Sequence, residues 1–140
     1  MSGYDDFDEE LLGLMRDNEG GYGDTHYLLG LLLLEKLGCR TTEKLFHEKK
    51  EVIKSIITAQ EDEQEFSDLF AERIVLLFWA GHGDAVDLNW IERIIQEQQT
   101  NKGWHDSGEV ESNPHTTGLS SLAIKYFIEG EIRQDVLVQE

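Results

Sequence analysis

The feature of this sequence that most constrains its fold is an alternation between two kinds of apolar segment. Some segments carry apolar residues on one stripe at helical spacing, whereas others, such as the run from Tyr27 to Leu34, are apolar nearly all round. A helix with one apolar stripe, here called a striped helix, exposes its other side to solvent. A helix that is apolar all round must be covered on most sides. The striped and the all-round helices alternate along the chain at about 6–18, 24–38, 42–59, 65–80, 86–99 and 115–129, with a short piece at 131–139.

This alternation predicts an all-α fold of three antiparallel helical hairpins in two layers. The striped helices form the outer layer and the all-round apolar helices form the inner layer. The 140 residues include 39% hydrophobic residues and one proline, which is typical of one globular, helical domain. We therefore expect a single helical-repeat domain over 1–140, with hairpins at about 6–38, 42–80 and 86–130.

Glycines and short polar residues mark the expected helix ends. Helices commonly end at a glycine and begin at an Asp, Asn, Ser or Thr cap. The predicted C-terminal caps are Gly38, the segment Gly81-His82-Gly83, and Gly130. The predicted N-terminal caps are Asp24, then Asp84 or Asp87, and then Asn113 or Thr116.

A glycine-aromatic-histidine turn occurs twice, each time before an apolar helix. The first copy runs from Gly20 to His26, and the second runs from Gly103 to Asp106 and resumes at His115. Gly21 and Gly103 are 82 residues apart (103 − 21), which is two periods of about 41, a length typical of helical-hairpin repeats. A degenerate middle copy, with Ile56-Ile57 and Gln60 matching Ile94-Ile95 and Gln98, completes three repeats.

These motifs resemble the repeat of the α/α-toroid superfamily, which includes terpenoid cyclases and protein prenyltransferase β-subunits. The matching residues are Ile94-Ile95, Gln98 and Gly103-Trp104, followed by a helix that opens with His115-Thr116-Thr117. The resemblance implies a partial α/α toroid or a short α-solenoid, since a full toroid has roughly twice as many hairpins. A second resemblance, through Gly23-Asp24-Thr25-His26 and His115-Thr116-Thr117-Gly118, is to an uncharacterised, mostly secreted animal family of unknown function.

The catalytic motifs of the toroid enzymes are not matched. The aspartate-rich stretch Asp5-Asp6-Phe7-Asp8 is predicted at the exposed start of a helix, whereas the cyclases carry their acid motif inside the barrel. Prenyltransferases bind zinc through Asp, Cys and His, and Cys39 has no neighbouring His or Asp at ligand spacing. The sequence therefore carries the repeat pattern of the superfamily without its recognised chemistry.

Five polar residues near the two turns are the candidate ligand-binding residues. In a two-layer arc the turns emerge at one end, so Asp24, His26, His105, Asp106 and His115 are expected to converge. The three histidines then form a candidate zinc site or supply a general base. The competing interpretation is structural: Asp24 caps a helix and the histidines bond backbone carbonyls of neighbouring turns.

The aromatic residues of the two turns also have two interpretations. Tyr22 and Trp104 form a platform for a sugar or an apolar ligand, or they pack between the layers at the hairpin ends.

The charge of the chain excludes some partners. The formal net charge is −17, which repels nucleic acids and anionic membrane surfaces. No stretch reaches the ~20 apolar residues that a membrane span needs, and we expect no membrane insertion. As written, the sequence lacks a signal peptide and carries one cysteine, which favours a soluble cytoplasmic protein; a mature or excised fragment is compatible with an extracellular location.

The sequence favours a non-enzymatic interaction or scaffold module that binds a protein partner or a second copy and needs no cofactor. An arc of helices leaves an apolar inner face that self-association would cover. The alternative is a toroid-type enzyme or zinc-binding protein that acts on a glycan or apolar substrate at the cleft near the turns.

Overall fold

A computed structural model describes residues 21–38 and 43–138 of the chain. Within these ranges the structure is helical without strands, which confirms the all-α prediction. The predicted helix at 6–18, the aspartates near residue 5 and Cys39 lie outside the described residues. The helices are α1 (Tyr22–Lys36), α2 (Glu43–Asp62), α3 (Asp68–Trp79), α4 (Leu88–Gln96) and α5 (Pro114–Val138), with a short 3-10 turn at Gly83–Ala85.

The chain divides into two compact units between Asp62 and Glu63. In the first unit α1 packs against α2, and the apolar contact is formed by buried residues such as Leu28 and Ile56, both fully inaccessible to solvent. An ion pair between Lys49 Nζ and Glu35 Oε2, 3.0 Å long, joins the same two helices at the surface.

In the second unit α3 is buried along most of its length and packs mainly against α5, which also contacts α4. Ile74, Val75 and Leu77 of α3 are completely buried, as expected for a helix that is apolar nearly all round. Two contacts set the register of the pair. Asp68 meets Thr116 at the start of both helices, and Trp79 meets Tyr126 further along.

These two contacts show that α3 and α5 run parallel to each other. This arrangement is what the two-layer prediction expects of successive inner helices. The three-hairpin repeat and the toroid arc stay predictions.

At the starts of three helices, the structure contradicts one predicted N-cap and decides between the alternatives for the other two. Asp24 does not cap α1: the N-cap is Gly21, and Asp24 is buried in the first turn, where its Oδ2 accepts a 2.6 Å hydrogen bond from Ser55 of α2. Asp87 caps α4 and Asn113 caps α5, through bonds of 2.8 Å to the amides of Asn89 and Thr116. The predicted alternatives at Asp84 and Thr116 do not act as caps, since Asp84 lies within the 3-10 turn and Thr116 lies within α5.

Two of the three predicted glycine caps are confirmed, and the third is wrong. Gly38 and Gly81 have φ angles of +74° and +79° and follow the ends of α1 and α3. Gly130 lies inside α5, which runs on to Val138 and joins the two predicted segments 115–129 and 131–139. A glycine caps the end of a helix where the glycine itself adopts the left-handed conformation; within a helix it costs about 1 kcal/mol relative to alanine.

Candidate functional site

The candidate site is built around Asp68, the first residue of α3. The carboxylate is 5% exposed, and its Oδ1 accepts a 3.0 Å hydrogen bond from the hydroxyl of Thr116. Nδ1 of His115 lies 2.7 Å from the same oxygen. The two partners are adjacent at the start of α5, so the parallel packing of α3 and α5 brings them to one carboxylate.

Asp106, from the loop before α5, also contacts Asp68. Its Oδ1 accepts hydrogen bonds from the backbone amides of Asp68, at 2.8 Å, and Ser107, at 2.7 Å. The Asp68 amide is one of the first amides of α3, which have no partner inside the helix. His105, the residue before Asp106, contacts the backbone of the same loop: its Nδ1 lies 2.8 Å from the carbonyl oxygen of Asp106.

Glu72 lies one helical turn beyond Asp68 on the same face of α3 and is 8% exposed. One carboxylate oxygen from each acid and one ring nitrogen of His115 all lie within 4.8 Å of one another. The side chain of His115 is 70% exposed, so the group of three opens to solvent on the histidine side.

The buried hydroxyl of Ser120, on α5, lies level with Glu72 along the pair of helices α3 and α5. Ser120 follows Thr116 by one turn of α5, as Glu72 follows Asp68 by one turn of α3, so the parallel register places Ser120 level with Glu72. Ser120 is fully buried, and its Oγ has no hydrogen-bond partner among the described residues. Buried polar atoms normally have a partner, and a buried water is one that this hydroxyl could bond.

This arrangement supports two kinds of chemistry. Carboxylate oxygens and an imidazole nitrogen that converge from two helices form a ligand set for a divalent cation. A buried carboxylate that holds Nδ1 of an exposed histidine also leaves the other ring nitrogen available as a general base. The same contacts fasten the starts of α3 and α5 together, so the residues contribute to folding in both cases.

The predicted site residues are divided between the two units. Asp24, His26 and Tyr22 belong to the first unit, whereas His105, Asp106 and His115 belong to the second. Within the second unit, Asp106 and His115 both reach Asp68. Convergence of all five polar residues, and the zinc site of three histidines, stay predictions.

The two aromatic residues have different environments. Trp104 is 3% exposed and donates a 2.7 Å hydrogen bond from Nε1 to the carbonyl oxygen of Ile94, so it packs in the core. Its described position therefore favours the packing interpretation over a ligand platform. Tyr22 is 38% exposed, and its ring centroid lies 5.9 Å from that of His26 in the same turn of α1.

Sequence reasoning missed Asp68 and Glu72, the two acids at the centre of the site. A signal was present, because two acids four residues apart, the second followed by Arg73, interrupt a mostly apolar helix that must be covered on most sides. Buried acids need partners, and a search for those partners would have singled out both residues. Only the fold shows that the partners come from residues 106 and 115.

Comparisons with known proteins found no relative of this chain. No protein-family model, no curated protein and no solved structure matches the chain. The two resemblances drawn from sequence motifs therefore stay predictions. Among the described helices, none combines the length and the apolar character that crossing a membrane requires.

Proposed function

We propose that this chain is a helical module that binds a divalent cation through Asp68, Glu72 and His115. The observation that carries the proposal is the convergence of two buried carboxylates and one imidazole within 4.8 Å. The proposal develops the zinc-binding alternative that the sequence offers, with His115 retained and two new ligands in place of the other histidines.

The distances suit a metal ion. Ligand atoms arranged tetrahedrally about zinc, at bond lengths near 2.1 Å, stand roughly 3.4 Å apart. Ligand atoms within 4.8 Å of one another would approach that spacing by side-chain rotation, which would also separate His115 Nδ1 from Asp68 Oδ1, now 2.7 Å apart. Oxygen and nitrogen ligands in this ratio suit zinc and also manganese or ferrous iron, so zinc is the first ion to test.

Electrostatics favour a cation at the same place. Asp68 and Glu72 are both more than nine-tenths buried, and two carboxylates one helical turn apart repel each other. A divalent ion between them would reduce this repulsion.

Isothermal titration calorimetry with zinc tests the proposal on the full chain, purified without a histidine tag and stripped with a chelator. We expect about one ion per chain, with affinity lowered about a hundredfold or more by Asp68→Asn, Glu72→Gln or His115→Ala. His82→Ala, which removes an exposed histidine of the same unit, is the matched control and is expected to bind like the unaltered chain.

Two results would overturn the metal proposal. One is the absence of saturable binding of zinc, manganese or ferrous iron to a chain that circular dichroism shows to be folded. The other is equal zinc affinity in the unaltered chain and in all three site variants. For the unaltered chain, zinc at about a hundred times its dissociation constant should also raise the unfolding free energy by about 2.7 kcal/mol.

A separate observation favours the interaction module that the sequence suggests. The end of α1 and the cap residue after it expose three leucines, Leu33 at 51%, Leu34 at 40% and Leu37 at 77%. We propose that a second copy covers them, although the charge of −17 on each copy opposes association at low salt. Light scattering at high salt tests this: a dimer that Leu33→Gln with Leu37→Gln dissociates supports it, and a monomer at every concentration overturns it.

A further inference from the structure

A groove lies at the far end of α3 from the cation site. It has a volume of about 620 Å³ and is formed by the end of α3, the 3-10 turn and the second half of α5. Asp68 and Trp79 are 11 residues apart on α3 (79 − 68), or about 16 Å along the helix axis. The groove is therefore separate from the candidate metal ligands.

Aromatic rings form one part of this groove. Trp79 is 47% exposed, and its Nε1 donates a 3.1 Å hydrogen bond to the hydroxyl of Tyr126. The rings of Tyr126 and Phe78 pack at 5.8 Å between centroids with planes tilted by 51°. These contacts hold the aromatic wall in place while much of the indole of Trp79 stays accessible.

Charged residues form the other part of the groove, and acids predominate. Asp84, Glu129 and Glu131 line it against a single base, Arg133. Lys125 reaches Glu129 from outside the groove at 3.7 Å, in an exposed pair that contributes little. Asp84 and Glu131 are exposed and lie beside the aromatic wall.

Exposed indole next to carboxylates is the chemistry that recognises an organic cation. A lysine or arginine side chain over the face of a tryptophan is attracted by the ring quadrupole, and adjacent acids pair with its charge. The overall charge of −17 would steer a basic partner toward the chain.

The length of the groove favours a peptide over a small amine. Its wall on α5 extends from Tyr126 to Gln134, eight steps along the helix (134 − 126) or about 12 Å. An extended peptide covers that length with about four residues. We propose that this groove binds a basic peptide segment of a partner protein, with one lysine or arginine side chain against Trp79.

The inference is independent of the metal proposal, since it uses none of the candidate metal ligands. The experiment measures fluorescence anisotropy of a short labelled oligolysine with the full chain, at low and physiological salt. We expect saturable binding that weakens at the higher salt, and no binding of an oligonorleucine of the same length, which lacks the charge.

Paired variants separate the groove from general charge attraction. Glu131→Lys and Glu92→Lys alter the net charge equally, but only Glu131 lines the groove, whereas Glu92 is exposed on α4. We expect Glu131→Lys to weaken oligolysine binding about tenfold and Glu92→Lys by less than about twofold. Trp79→Leu, which keeps an apolar side chain but removes the ring, is expected to weaken binding about fivefold.

Three outcomes would overturn the inference. The first is equal weakening by Glu131→Lys and Glu92→Lys, which would show that only net charge attracts the peptide. The second is unchanged binding by a folded Trp79→Leu variant. The third is choline displacing the oligolysine at an equal concentration, which would assign the groove to a small ammonium ligand.

Discussion

The Oδ1 atom of Asp106 accepts a 2.8 Å hydrogen bond from the backbone amide of Asp68, which lies 38 residues earlier in the sequence. A loop residue therefore acts as a cap for a helix that begins far earlier in the chain. Ser67 caps the same helix locally, through a 3.1 Å bond from the amide of Phe70 to its hydroxyl. Two of the amides that have no partner within α3 therefore donate hydrogen bonds to side chains, one nearby in the sequence and one distant.

Asp106→Ala tests the distant cap. Loss of a helix cap typically lowers stability by about 1 kcal/mol, and we expect an effect of that size on the free energy of unfolding in urea. Asp84→Ala, which removes an exposed acid of the same unit, should change it by less than about 0.5 kcal/mol. Equal effects of the two substitutions would show that Asp106 does not stabilise α3.

Thr116→Val tests the hydroxyl that supports the central carboxylate. Valine has nearly the shape of threonine but donates no hydrogen bond, so the buried Asp68 loses one partner. We expect destabilisation of about 1–3 kcal/mol in urea unfolding, because a buried charged group is left less well bonded. Thr58→Val on the exposed surface of α2 is the control, and a shift no larger than that of the control would contradict the assignment.

Trp104→Phe tests whether the indole nitrogen contributes to stability. The substitution removes the 2.7 Å hydrogen bond to Ile94 and leaves a buried carbonyl oxygen without that donor. A loss of about 1–3 kcal/mol in unfolding free energy is expected. Trp90→Phe, at a half-buried position on α4, should cost less, and the reverse order would refute the proposed role of Trp104.

Gly81→Ala and Gly130→Ala should have opposite effects. Gly81 has a φ of +79° at the end of α3, where a Cβ is strained, and alanine there should destabilise the protein by about 1 kcal/mol. Gly130 lies inside α5 with no atom within 4 Å of an added Cβ, so alanine should stabilise it by up to about 1 kcal/mol. Thermal unfolding of both variants checks this, and shifts of the same sign would disprove the distinction.

Local rules predicted the features that depend on neighbouring residues. The apolar periodicity predicts the described helices because each helix forms from contacts within a few residues. The caps at Gly38, Gly81, Asp87 and Asn113 follow from backbone conformations and amides one turn away. Gly130 is the exception to the glycine rule: a glycine permits a C-terminal cap, but here the following residues continue the helix.

The candidate site was decided by tertiary structure. His115 and Asp68 are 47 residues apart, and Asp106 and Asp68 are 38 apart, so no local pattern links them. Hydrophobic periodicity shows which face of a helix is buried, but it does not show which other helix covers that face. The parallel packing of α3 against α5 supplies that information, because it places the starts of both helices side by side and turns separate polar residues into one group.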